Sequence, residues 1–588
     1  MQQHQPPQDV KNLTLAFVFC CVIIALWQYF VIQPEQQKLK AAEAAKLAEQ
    51  QLNKPVVTSQ PPAGDAAGAI QTSAAVAESP RLRFNNDKIT GSIALRGLRI
   101  DDLTLDKYKV SLDSQEKVKL LLPADNALPY FLEFGWLSAG DGLKTPDQNS
   151  LWQADQERLA PGSPVTLSWK NEDGVTFRAI IEIDENYLFK ITKSVENRSG
   201  KLVSLYPYGL ISKSSPEHSV MPLLHEGPLG TINKVLEEIA YSDLKEDGPQ
   251  KHSNVSGWFG VTDKYWLSAI IPPVGKNYEV SMKFVPGFEN DRYQVDYMGG
   301  KLDIADGASA SEEVRLFLGA KELKLLDKYS ENFGIPLFDR AVDLGYLYFL
   351  TKPIFEVLSY FYHWLGNFGL AILLLTVCFK ALMFPLAYKS YRAINELKEL
   401  QPDIERIRQV AGDDKMRLNK ELMDLYKKKK VNPAAGCLPL LIQMPIFFAL
   451  YKVLYVTIEM RHAPFYGWIR DLSSLDPTNL FTLFGVINWM PPSFLHVGAW
   501  PIIMLITMLV QQRLQPTPTD PTQATVIKLM PWIFIVMFAS FPAGLIIYWA
   551  WSNTISIVQQ LAIAKIHKKQ VKKHGTAKPA RNKSTVKQ

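Results

Sequence analysis

The sequence predicts a polytopic α-helical membrane protein, an N-terminal anchor plus a five-helix core, carrying an extracytoplasmic all-β sandwich domain. Three observations predict it. Mean hydropathy over the 588 residues is −0.04, but residues 35–330 are of ordinary polarity while 335–563 are crowded with Leu, Ile, Phe, Met and Trp. Leu13–Ile32 is a largely apolar run of 20 residues, about the length that ~30 Å of hydrocarbon requires. Between these regions, 83–325 carries the period-two alternation of half-buried strands.

Charge and cysteine usage narrow the class. The net charge is +6, yet the last 24 residues alone hold nine Lys/Arg and no acid. The basicity is therefore local. Cys20, Cys21, Cys378 and Cys437 all lie in or beside apolar runs, so the β region has no disulfide framework. It is large enough to bury a core without one.

Taken in order, residues 1–33 read as a retained anchor. Trp27 and Tyr29 sit near its end as interface residues do, and the run is long for a signal peptide and lacks a small-x-small cleavage site after it. Residues 34–82, rich in Ala, Gln, Pro and Lys, read as a flexible linker, with a short helix over Lys38–Leu52. In the β domain, 83–328, Phe177, Ala179, Ile181 and Ile183 alternate with polar neighbours. So do Tyr187, Phe189, Ile191 and Val195, after a turn at Asp184-Glu185-Asn186. Many short strands punctuated by Gly, Pro, Asn and Asp predict a sandwich. The domain has no HExxH, GxSxG or P-loop, and its histidines lack ligand spacing. It reads as structural or docking, and Asn197-Arg198-Ser199 matches a glycosylation sequon of a kind common by chance.

Residues 330–353 are expected to form an amphipathic interfacial helix, because Leu337, Phe338, Ala341, Leu344 and Tyr348 share a helical face. The core, 354–565, follows with spans over 355–386, 437–458, one centred on 500–510, then 526–541 and 543–563. Phe541-Pro542-Ala543-Gly544 turns between the last two. Leu480–Met490 is apolar but too short to cross, so it reads as re-entrant or interfacial. Twelve Lys/Arg in 388–430 and the basic tail, 566–588, against two in 461–496, place the 388–430 loop and both termini in the cytoplasm and the β domain outside.

The 388–430 loop is itself patterned. Ile394, Leu397, Ile404 and Ile407 form one heptad-like seam, and Leu418, Leu422 and Leu425 another, broken at Ala411-Gly412-Asp413-Asp414. The pattern predicts a helical hairpin with Lys389, Arg392, Arg406, Arg408, Lys427 and Lys428 outside. It is either a charged arm meeting a ribosome, a nascent chain or headgroups, or a solvated link between two spans.

Lys380 lies inside an apolar span, where a cation at the bilayer centre costs roughly 2.5–3.5 kcal/mol. It stands ~9 Å from the expected cytoplasmic end of its span, so it either snorkels out or faces a wet groove. Thr376 one turn away, Gln443, and Ser552, Asn553, Thr554, Gln559 and Gln560 place polar groups from three spans at similar depth. No acid in these spans neutralises the lysine. Lys452, nearer the outer end of its span, reads as snorkelling.

The segments VNPAAGCLPLLIQMPIFFALY (431–451), GNFGLAILLLT (366–376), LQPDIERIR (400–408) and FPAGLIIYWAWSN (541–553) resemble the signatures of the YidC-type membrane protein insertases, related to the mitochondrial Oxa and chloroplast Albino proteins. The resemblance covers the whole layout and matches the Gram-negative form with a large periplasmic domain. The family's groove cation falls on Lys380, where bacterial members typically have Arg. The charge is kept and the guanidinium's planar donor fork is lost. Tyr548-Trp549 stands where relatives often have two tyrosines.

The resemblance implies a bacterial inner-membrane protein that inserts and helps fold and assemble membrane proteins, alone or beside the Sec translocon. Lys380 would transiently hold acidic residues of the translocating segment. Thr376, Gln443, Ser552 and Asn553 would line the groove, and Leu441, Met444, Phe447, Tyr548 and Trp549 would form the slide for a substrate helix. Implied partners are nascent membrane proteins, the Sec translocon and membrane lipids, with the ribosome and the signal-recognition-particle receptor as further candidates. No DNA partner, cofactor, metal, nucleotide or enzymatic activity is expected. A transporter, or an assembly chaperone that translocates nothing, are the competing readings.

Overall fold

The computed structural model describes residues 79–575, apart from 141, 215–223, 287–290, 413, 430, 432–437, 488, 490–496 and 516–520. The side chains of 415, 438–442, 485, 521–523 and 567–575 are also outside the described set. The anchor, nearly all of the linker, Cys20, Cys21, Cys437, His218 and the end of the basic tail therefore lie outside the described residues. The chain divides into two units, 1–60 with 517–529, and 61–516 with 530–588. The first is described only over the opening half of the helix Pro521–Phe538. The second holds the β domain and the other helices.

The β domain is a sandwich of an eleven-stranded and a nine-stranded sheet. The alternating segments of the sequence become strands Val175–Ile183 and Leu188–Asn197, paired antiparallel with Ile181 opposite Ile191 and Phe177 opposite Val195. All four side chains are buried, as the period of two requires. The Asp184 carboxylate closes the hairpin by accepting from the backbone of Asn186 (2.8 Å) and Leu188 (2.9 Å). A buried ion pair, Lys193 Nζ to Glu312 at 2.7 Å, lies in the sandwich interior and is bridged to the other sheet through Tyr297 and the Tyr208 carbonyl. Asn197 of the sequon is fully buried and donates to the carbonyls of Lys201 and Ile304. Its amide nitrogen is engaged within the fold and is not presented for modification.

The single amphipathic helix expected over 330–353 is not formed. The chain makes a helix at Leu323–Phe333, a one-turn 3-10 segment at Phe338–Ala341, an irregular stretch, and a new helix from Tyr348 to Leu365. Leu337 (φ 53°) and Gly345 (φ 73°) are left-handed, which no helix tolerates in its interior. The apolar positions that mimicked a helical face are buried separately: Phe338, Ala341 and Leu344 each reach the core.

The first span of the core is also segmented. Gly366 ends the Tyr348–Leu365 helix in a left-handed cap at φ 67°. Asn367 starts the next, Phe368–Leu382, by accepting from the Leu370 N–H at 3.1 Å. That helix ends at Met383, and Pro385 opens a third, Phe384–Glu399, bent from it by 67°. The continuous 355–386 span of the sequence reading is thus three helices. Leu438–Val456, Ala499–Arg513, Pro521–Phe538 and Ala543–Gly575 complete the core. No single helix among the described residues is long and apolar enough to cross a membrane alone, whereas the bent pair Phe368–Leu382 and Phe384–Glu399 meets that requirement together.

The hairpin comprises Gln401–Ala411 and Lys415–Lys429. Leu400, Ile404 and Leu422 are buried together, with Leu397, Ile407, Leu418 and Leu425 packed against them. Asp414 caps the second helix through the Arg417 N–H at 3.0 Å. Ile394 departs from the expected seam and packs with Ala387, Tyr391 and Ile563.

Candidate functional site

The site is built where five helices meet. Ala543–Gly575 packs against Ala499–Arg513, Phe368–Leu382, Phe384–Glu399 and Leu438–Val456. Lys380 sits in the last turn of Phe368–Leu382, where a cation complements the free carbonyls of the helix end. Its side chain is half-buried, and Nζ donates to Ser556 Oγ at 2.9 Å and Gln443 Oε1 at 3.3 Å. Gln443 also donates through Nε2 to the Tyr548 hydroxyl. The Lys380 carbonyl accepts from Gln559 Nε2 at 3.3 Å. The ammonium is therefore held by neutral oxygens from two other helices. Among the described residues, no carboxylate forms an ion pair with it.

The predicted lining residues divide. Gln443 contacts Lys380 directly. Ser552 is buried one turn before Ser556 and accepts from it through its carbonyl at 2.9 Å. Thr376 is buried but turns its hydroxyl back to the Ile372 carbonyl of its own helix at 2.7 Å. Asn553 faces a different neighbour, donating to Thr507 Oγ1 at 3.2 Å. Ser556 was missed by sequence reasoning. Its signal is the polar ladder Ser552, Ser556 and Gln559 on one face of the helix, at spacings of four and three.

The predicted slide residues also separate. Tyr548 is 2% exposed, and its hydroxyl joins the polar cluster. Phe447 is buried edge-on to Trp549 at 4.7 Å, and Phe538 closes on Trp549 at 5.1 Å. Met444 is exposed, as is its neighbour Phe448. Leu441 belongs to the same helix, and its side chain lies outside the described residues. Arg406, Arg408, Lys427 and Lys428 are exposed on the hairpin, whereas Lys389 and Arg392, also exposed, stand on the preceding helix Phe384–Glu399, Arg392 pairing with Glu396 at 2.9 Å.

Lys452 has a carboxylate partner. It forms an ion pair of 2.7 Å with Asp343, from the stretch preceding the core, and lies over Gly345. Lys380 and Lys452 are chemically alike in the sequence, yet one meets a carboxylate and the other amide and hydroxyl oxygens.

Comparison with known proteins matches residues 360–571 to the family described as 60Kd inner membrane protein, and 81–357 to the YidC periplasmic domain. A protein of Rickettsia bellii (strain OSU 85-389) named membrane protein insertase YidC is 47% identical over 571 residues, covering 95% of this chain and all of that one. Its counterpart in Rickettsia canadensis (strain McKiel), of the same name, is 48% identical over 562 residues with the same coverage. A solved structure described as an active YidC insertase with its first transmembrane domain resolved covers 84% of this chain and 97% of its own, at 18% identity and a TM-score of 0.33.

Proposed function

This chain belongs to the YidC family of membrane protein insertases, and on that premise we propose that it inserts proteins into a bacterial inner membrane through a hydrophilic groove centred on Lys380. The observation that carries the reading is the ammonium of Lys380 held between Ser556 and Gln443, with neutral partners. A cation already satisfied by a carboxylate would have little attraction left for a substrate. One resting on exchangeable hydroxyl and amide oxygens keeps its charge for a visiting acid.

The obstacle to insertion is the passage of a short polar segment through hydrocarbon. Polar groups in the cytoplasmic half of the membrane shorten the dry path. Acidic residues of the segment exchange with Gln443 and Ser556 at the ammonium. The substrate's apolar helix passes the exposed side of Met444 and the aromatic cluster of Phe447 and Trp549. Transfer of that helix into lipid then releases the segment outward. The membrane potential contributes ~2.3 kcal/mol per charge per 100 mV to an outward-moving acid. In this scheme both termini and the hairpin are cytoplasmic and the β domain is outside. The hairpin cations and the basic tail meet ribosomal RNA phosphates or anionic headgroups, and the Sec translocon is an accessory partner.

The test is insertion of a one-span protein with an acidic outer tail into liposomes holding the purified protein, scored by protease protection. The native chain and Lys380→Arg are expected to insert it, Lys380→Ala weakly, and Lys380→Glu not at all. Equal insertion by all four would remove the groove cation from the mechanism. No insertion by the native chain would favour an assembly chaperone.

A further inference from the structure

From Pro477 through Gln512 the chain has no Asp, Glu, Lys or Arg. Part of this stretch is the helix Ala499–Arg513. Before it, among the described residues, a 3-10 turn at Leu480–Gly485 and the residues beside it expose large apolar side chains. Leu480 and Phe481 are exposed, as are Leu483, Phe484, Ile487 and Trp489, with Leu483 at 54% and Phe484 at 53%. Leu483 (φ 46°) and Phe484 (φ 58°) are both left-handed, a conformation that costs a bulky residue of order 1–3 kcal/mol. The loop therefore spends backbone energy on a turn that shows apolar groups to its surroundings.

The base of the loop is tied down by hydrogen bonds. Asp476, 2% exposed, accepts from Trp468 Nε1 (3.0 Å) and the Thr478 N–H (3.0 Å) through Oδ1, and from the Trp500 N–H (2.9 Å) through Oδ2. Thr478 Oγ1 accepts from the Ala499 N–H at 2.8 Å, and the Leu480 N–H reaches the Val497 carbonyl at 2.8 Å. A Cβ at position 498 would stand 2.6 Å from Asp476 Cβ, so glycine there lets the buried Asp476 side chain come this close. Asp476 thus caps the apolar helix and fixes the loop to its first turn.

We propose that the tip formed by Leu480, Phe481, Leu483, Phe484, Ile487 and Trp489 inserts into the headgroup–acyl boundary of the outer leaflet, so that lipid is its partner. The inference rests on the topology proposed above, in which Ala499 marks the outer end of a span. A tip stapled to that end stands at membrane level. Aliphatic and aromatic residues favour that depth. With no cation in the loop, the attraction is apolar. Its depth is therefore independent of anionic lipid and salt, unlike that of a basic surface helix.

The experiment uses the full chain with Cys20, Cys21, Cys378 and Cys437 replaced by alanine, and one environment-sensitive fluorophore on Leu483→Cys. The protein is reconstituted in zwitterionic or mixed anionic vesicles carrying shallow nitroxide lipids. Controls carry the label at Leu202→Cys, exposed on the β domain, or Met416→Cys, exposed on the hairpin. The expected result is a blue-shifted emission at 483 with a roughly twofold or greater nitroxide quench, equal in both lipid mixtures, and none at 202. An unquenched, water-like label at 483 overturns the proposal. So does a quench that appears only with a nitroxide-labelled substrate, which would assign the tip to substrate instead. Membrane-impermeant dithionite tests the topology separately. Labels at 202 and 416 reduced from the same face overturn the topology and the loop assignment together. Opposite faces with an unquenched 483 overturn the loop assignment alone.

Discussion

The ammonium of Lys380 donates to the hydroxyl of Ser556 across 2.9 Å, joining two helices through residues 176 apart in the chain. The bond fixes where the charge points. Ser556 in turn donates to the Ser552 carbonyl, so its lone pairs remain available to the lysine.

Ser556→Ala leaves the charge and removes one of its two named restraints. Insertion of a substrate with an acidic tail is expected to fall roughly three- to tenfold, because the ammonium loses the contact that aims it before the acid arrives. Neutral-tailed substrates should insert unchanged. Paired insertion assays on the two substrates check this, and an equal loss on both would reduce Ser556 to a packing residue.

Phe447 and Met444 are one turn apart on one helix but differ in burial. Phe447→Ala removes a buried ring from the contact with Trp549 and Phe538, at a cost of about 3–5 kcal/mol by the usual scale for core aromatics. Met444→Ala should cost well under 1 kcal/mol, as exposed substitutions do. Denaturation in detergent distinguishes the two, and insertion kinetics of Met444→Ala then report the slide without a folding defect.

In the β domain, Lys321 is buried, with Nζ donating to Thr262 Oγ1 at 2.9 Å. Burial lowers its pKa from 10.5 to about 8, against the opposing pull of Asp263 and other nearby carboxylates. Below pH 8 the lysine is charged in both states, and the folded state bears the desolvation penalty. As pH rises from 8 to 10.5 the folded lysine is neutral while the unfolded one still binds its proton, so stability rises. Lys321→Met should be more stable than the native chain below pH 8, by on the order of 3 kcal/mol. The difference should close towards pH 10.5, and unfolding curves across that range read it directly.

Leu422→Asp places a charge in the packed seam between Gln401–Ala411 and Lys415–Lys429. A loss of several kcal/mol of local stability is expected. Hydrogen exchange should rise in 401–429 and stay unchanged in the β domain. Lys427→Gln with Lys428→Gln, both exposed, should leave exchange unaltered, which separates the hairpin's fold from its charge.

The strands were legible because alternation is a local signal, and Phe177, Ile181, Phe189 and Ile191 each pointed where period two demands. The seams around Leu422 were legible for the same reason, at helical period. The breaks at Gly366-Asn367 and Met383 were not, although both carry local signals in a glycine–asparagine pair and a proline. A long apolar run obscured them. Over 337–349, helical spacing was present without a helix, because Leu337 and Gly345 take left-handed conformations. In the site, Gln443 was found by its depth in an apolar span. Ser556 and the Asp343–Lys452 pair depend on which helices meet, and spacing along one helix does not report that.

The 67° bend at Met383 lies three residues beyond Lys380. From the bend the chain continues as the unbroken helix Phe384–Glu399 before it reaches the hairpin. The last turn of the lysine's helix and the hairpin are therefore connected through the bend at Met383 and one helix. That helix of 16 residues spans about 24 Å, so the hairpin is tied to the last turn of the lysine's helix by helical backbone and not by a loose loop.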